Sequence, residues 1–173
     1  MNAFLSNNEA RMTTYADLQA VYKQHREAQS AYYIQLEEVV TRIIKGYAEH
    51  LGVQGKVALM NGAMTPYVTQ GRLLGRSFEE DNSYEARTMY GKEMTTNIGV
   101  IVEESERSTS KARVVVELRI WKEQGAYHYL LTAPHSPDKP GIEGRVLSDA
   151  DYKELYEDIS EILLRVMDPE PFK

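Results

Sequence analysis

Side chains suited to a buried seam recur along residues 13–51 at alternating steps of four and three: Leu18, Tyr22, His25, Gln29, Tyr32, Leu36, Val39 and Ile43. That is the spacing of a coiled-coil seam, and it predicts one long helix. Thr13 or Thr14 can cap it, Asp17 falls in its first turn, and Gly52 follows the last apolar residue, Leu51. The first half of the seam is soft, because His25 and Gln29 occupy core positions. In the second half Tyr33, Val40, Ile44 and Tyr47 add another stripe. Residues 31–51 are therefore expected to cover the domain's own core, and residues 13–30 to serve another surface. At about 1.5 Å per residue the helix would run roughly 57 Å, more than a small domain spans. The excess then pairs with a second copy, lies on a partner, or breaks near Ala28–Ala31. Residues 1–12 show no periodicity and read as a lead-in to a single domain over 13–173.

From 55 to 133 the period changes to that of β-structure. Lys56–Asn61 and Tyr67–Leu74 are short strands separated by Asn61-Gly62 and Pro66. Residues 75–94 are polar: Glu79–Asn82 reads as a loop and Tyr84–Tyr90 as a helical turn. Asn97–Glu104, Arg113–Trp121 and Ala126–Thr132 are β-branched and aromatic, and form a three-stranded antiparallel meander. Residues 134–147 hold Pro134, Pro137, Pro140, Gly141 and Gly144, and read as a loop lying at the sheet edge. Residues 148–167 form an amphipathic helix. Ser148 caps it, Asp151 takes the box position and Leu147 can staple onto Tyr152. Its apolar face is Tyr152, Leu155, Tyr156, Ile159, Ile162, Leu163 and Val166. The fold class is α+β: a long N-terminal helix, an antiparallel sheet of about five strands, and a C-terminal helix packed on it.

The last hairpin locates a surface. A two-residue turn at Gln124-Gly125 sets Trp121 opposite His128, Ile120 opposite Tyr129 and Arg119 opposite Leu130. Alternation then sends Val114, Val116, Leu118, Ile120, Tyr127, Tyr129 and Leu131 to the core. The other face collects Val115, Glu117, Arg119, Trp121, His128 and Leu130. Aliphatics, an arginine and the chain's one tryptophan have the composition of an interface hot spot. The seam residues Tyr22, His25 and Tyr32 are a second candidate contact.

Composition narrows the chemistry. Cysteine is absent, which removes disulfides, thiolate metal sites and cysteine catalysis. The net charge is −6, from 20 basic and 26 acidic residues, with most of the excess in 148–173. No basic run offers a nucleic-acid surface, and no apolar run is long enough to cross a membrane. The N-terminus has no basic start and no apolar run, so a signal peptide is not expected and the cytoplasm is the expected location. The four histidines lack metal-ligand spacing, and phosphate-loop, dinucleotide and serine-nucleophile motifs are missing. No cofactor or metal is expected. Tyrosine is abundant, 12 against 3 phenylalanines, which suits half-buried faces and interfaces.

The first functional expectation is a non-catalytic protein-binding module: an immunity-type inhibitor, an anti-defence inhibitor or an accessory subunit. It would act by occlusion or assembly and would dimerise through residues 15–36. The alternative is a binder of a small anionic ligand or nucleotide through Arg113, Arg119 and Trp121, because guanidinium forks match phosphate and aromatic rings stack bases. A third reading is a small enzyme with His128 or His135 as general base.

Overall fold

The computed structural model describes residues 13–83, 86–105 and 108–168; the lead-in 1–12 lies outside them. Helix α1 is Tyr15–His50. The Thr14 amide and hydroxyl both donate to Asp17 Oδ2 at 2.8 Å, and the Asp17 amide donates back to Thr14 Oγ1 at 3.2 Å. This reciprocal capping box satisfies amides that the first turn leaves without partners. The helix is continuous through Ala28–Ala31, so the considered break is not there.

The chain divides into two compact units, Met1–Gln35 and Leu36–Lys173, and the division falls inside α1. In the first unit Leu18, Tyr22 and His25 are exposed and Tyr32 is half-buried against Tyr33, ring centroids 5.8 Å apart. In the second unit Leu36, Val39, Val40, Ile43 and Tyr47 are buried. Full burial on α1 thus begins at Leu36 rather than at residue 31.

Nine strands follow among the described residues: β1 (Val57–Met60), β2 (Ala63–Pro66), β3 (Val68–Leu74), β4 (Ser77–Glu80), β5 (Thr88–Tyr90), β6 (Glu93–Glu103), β7 (Lys111–Glu123), β8 (Ala126–Thr132) and β9 (Ile142–Val146). β1 and β2 form a separate hairpin around Asn61-Gly62, whose φ angles of 50° and 81° are those of a primed turn. The other strands make one seven-stranded antiparallel sheet in the order β4-β3-β6-β7-β8-β9, with β5 pairing β6 beyond the end of β3. The expectation of about five strands in one sheet included β1, which pairs only with the unexpected β2, and fell short of the main sheet because three further segments were misread. Glu79–Asn82 is not all loop, since Glu79 and Glu80 close β4 opposite Arg72 and Gly71 and the loop begins only at Asp81. The helical turn expected over Tyr84–Tyr90 does not reach its end: the Ala86 amide donates to the Ser83 carbonyl at 3.2 Å as in a helical turn, but Thr88–Tyr90 is a strand, and residues 84–85 lie outside the described residues. Residues 134–147 are not all loop, because the prolines end at Pro140 and Ile142–Val146 is free to pair β8.

Helix α2 (Asp151–Val166) starts three residues after the Ser148 cap position. The Asp151 carboxylate accepts the amides of Leu147 and Ser148, each at 2.8 Å, and the Ser148 hydroxyl at 3.1 Å. Those donors, the Leu147 amide foremost, hold Asp151 below the usual carboxylate value. Only the acidic half of the expected box forms: the Asp151 amide donates to the Ser148 carbonyl at 3.2 Å rather than to its hydroxyl. Leu147 is 61% exposed rather than buried as a staple.

One sheet face is the core. Met94, Ile120 and Tyr129 share a cross-strand row, as do Thr96, Leu118 and Leu131, and all are buried. α2 packs on β7, β8 and β9 through Tyr152, Leu155, Ile159, Ile162 and Leu163. The buried Tyr129 hydroxyl donates to Asp158 Oδ2 at 2.6 Å, and burial foremost pushes this phenol far above its usual value. On α1, Tyr47 shares a 3.0 Å hydrogen bond with Ser160, and Arg42 binds Asp149 at 2.6 Å.

Candidate partner-binding site

β7 and β8 are joined by the two-residue turn Gln124-Gly125, with φ angles of 49° and 84°. The pairing follows from it: Glu123 opposite Ala126, Trp121 opposite His128, Arg119 opposite Leu130. Cross-strand pairing extends this register over the non-core face. Tyr90, Glu93, Trp121, His128 and Arg145 form one row across β5, β6, β7, β8 and β9. Thr88, Thr95, Arg119, Leu130 and Glu143 form the next.

Trp121 and His128 stack with centroids 5.7 Å apart and planes 16° apart. Trp121 lines two open depressions. One, of about 520 Å³, runs to Tyr90, Lys92 and Glu123; the other, of about 350 Å³, runs to His128, Glu143 and Arg145. Tyr90 is 84% exposed. Trp121, His128, Arg119 and Leu130 are half-buried. Arg119 lies 3.7 Å from Glu93 and 3.9 Å from Glu117, so its charge is balanced on the sheet itself.

Val115 does not belong to this surface, although alternation puts it on the same face. It is 6% exposed. Gly71 and Gly99 leave a hollow beside it, the Phe78 ring lies in that hollow, and the Arg113 guanidinium sits 4.9 Å over the ring. Arg113 also lies 3.9 Å from Glu80. Arg113 and Arg119 are about 20 Å apart along one strand at about 3.3 Å per residue. The anion pocket expected from Arg113, Arg119 and Trp121 is therefore not assembled: one arginine covers a hydrophobic corner and the other stands beside Trp121.

The sequence reading missed Tyr90, Glu93, Glu143 and Arg145. Tyr90 and Arg145 lie on short edge strands that were read as a helical turn and a loop, so no alternation was applied to them.

His128 has a ring contact and no hydrogen bond recorded among the described residues. His135 is exposed beside Arg76 and Pro134 in a depression of about 550 Å³. Among the described residues no three His, Asp or Glu side chains gather as a metal site would require. Another cavity, about 650 Å³, lies between the end of α1 and the start of α2, lined by Arg42, Lys45, His50, Asp149, Tyr152 and Tyr156. Arg42 is committed there, bonded to Asp149 and 4.6 Å over the Tyr152 ring. Among the described residues no helix is long and apolar enough to cross a membrane.

No protein-family model matches this sequence, and neither the curated proteins nor the solved structures contain a match to it.

Proposed function

We propose that this chain is a non-catalytic protein-binding module that acts by occlusion or assembly, as an immunity-type inhibitor, an anti-defence inhibitor or an accessory subunit does. The observation that carries the reading is the row Tyr90, Trp121 and His128, with an open depression on either side of Trp121. Aromatic rings with arginine at the centre of a charged rim concentrate binding energy in protein interfaces. The rim is balanced, Glu93 and Glu143 against Arg119 and Arg145, which favours a mixed protein surface over a polyanion. A second copy of the chain belongs to the same reading, joined by the seam that holds Tyr22, His25 and Tyr32 and stopping one residue short of the expected span 15–36, because Leu36 is buried in its own unit. We place the module in the cytoplasm; a chain without cysteine takes nothing from an oxidising compartment.

Native mass spectrometry on the protein isolated from its own cells tests this. A stoichiometric second polypeptide is expected with the wild type and is lost from Trp121→Ala and Tyr90→Ala, while both variants keep a cooperative unfolding transition. A complex that survives both substitutions, or a preparation with no second polypeptide, overturns the reading.

A further inference from the structure

The stretch Tyr15–Gln35 carries apolar side chains that remain in water. Tyr15 is 76% exposed, Leu18 58%, Val21 65% and Tyr22 65%. In heptad notation Tyr15, Tyr22 and Gln29 fall at a, and Leu18, His25 and Tyr32 at d. Charge keeps clear of this seam. Lys23 and Glu27 sit at b and f on the far side, 3.9 Å from each other, and Asp17 sits at c bonded to Thr14. Only Arg26, at e, borders it. A seam flanked by so little charge suits a copy of itself better than an oppositely charged helix, because e and g charges select partners in coiled coils.

The polar seam positions set the direction. In a parallel, in-register pair each seam residue meets its own copy. Gln29 then meets Gln29, and an amide carries both a donor and an acceptor for its twin. Arg26 at e faces Val21 at g of the other copy, so no like charges meet. An antiparallel pair sets a against d. Confined to the exposed stretch, which ends where Leu36 is already buried in its own unit, it brings Gln29 against Leu18. The amide would then lie unpaired in an apolar layer, at a cost.

We propose that residues 15–35 pair with the same stretch of a second copy as a parallel, in-register coiled coil. This rests on the self-association included in the proposed function and adds its orientation and its response to pH. His25 meets His25 in a d layer. The charged and titratable groups around that layer are Tyr22 and Arg26 of both copies, with no carboxylate among them. Neutral imidazoles can donate one to the other, whereas protonated ones repel across the seam. Histidine is the side chain that changes charge between about pH 5 and pH 8, so the pair weakens as pH falls.

The natural chain has no cysteine, so Gln29→Cys places a single thiol in each full-length copy. Facing a positions bring Cα atoms within the span that a disulfide bridges, and about half or more of Gln29→Cys is expected as oxidised dimer. Lys23→Cys, on the outer side, is expected to stay almost wholly monomeric on a non-reducing gel. Sedimentation of the wild type reads the rest: a dimer at about pH 8, with affinity falling roughly tenfold or more by about pH 5, a fall that His25→Leu abolishes. A wild-type monomer at the higher pH overturns the self-association itself. A dimer in which Gln29→Cys does not cross-link, or cross-links no better than Lys23→Cys, overturns the parallel alignment alone. A dimer indifferent to pH overturns the histidine layer.

Discussion

Trp121 and His128 hold directly opposed register positions in β7 and β8, and their rings stack 5.7 Å apart, nearly parallel. The stack sets the Trp121 ring against a neighbour on a half-buried face, and an anchor residue held in this way loses less freedom on binding. The two ends of its row, Tyr90 and Arg145, come from the strands that pair the outer sides of β6 and β8.

Trp121→Ala should cost the free protein only the stack and part of a half-buried side chain, about 1–2 kcal/mol. A partner complex should lose about 2 kcal/mol or more, as central aromatic anchors do. Calorimetry of the free variant, set beside titration with the isolated partner, separates the two losses. Disappearance of the cooperative thermal transition would mean that Trp121 belongs to the core.

Gly144→Ala should destabilise the fold by about 2 kcal/mol, because the Tyr129 phenol rests on this glycine from the facing position of β8 and a Cβ would fall within it. The ring cannot swing away freely, since its hydroxyl is held by Asp158. Urea unfolding measures the loss, and an unchanged midpoint would mean the ring yields without cost.

Arg87→Leu should cost on the order of 3 kcal/mol. The guanidinium lies 3.2 Å from Glu37 Oε1 and donates to Gln70 Oε1 at 3.2 Å. Its side chain is 10% exposed and Gln70 is 2% exposed. Removing it strands a carboxylate and an amide that water reaches poorly. The double variant Arg87→Leu with Glu37→Leu should recover part of the loss in the same unfolding assay.

The Asp151 carboxylate stabilises the fold through its ionised form. Its folded value is depressed below 3.8, so its contribution is complete above that pH and is lost as pH falls through the folded value. Asp151→Asn should therefore lower the melting temperature near neutrality. It should also flatten the fall in melting temperature between about pH 5 and pH 2. Parallel acid slopes for variant and wild type would show that the three donors from Leu147 and Ser148 do not stabilise the charge.

The two helices were legible because their signals are local. Thr14 and Asp17 cap each other within one turn, and the apolar face of α2 recurs at helical spacing over adjacent residues. The β7–β8 register was legible for a similar reason: a two-residue turn leaves one pairing that keeps Leu118, Ile120, Tyr129 and Leu131 together. β4 and β9 were harder, since edge strands pair on one side only and carry polar residues such as Glu79, Glu143 and Arg145. β5 is three residues long, too short for any period to show.

From sequence alone came the α+β class, the helical seam, the meander and the sorting of β7 and β8 into two faces. All of these depend on residues within a turn or a hairpin of one another. Only the tertiary structure decided which part of the non-core face stays open. Gly71 and Gly99 make a hollow because they lack side chains, Phe78 lies in it, and Arg113 lies over Phe78, so Val115 is buried while Trp121 is not. The same long-range pairing brought Tyr90 into line with Trp121, and only the tertiary structure shows that full burial on α1 begins at Leu36. Coverage is a property of residues far apart in the chain, and no periodicity along it records which distant side chain lies on top.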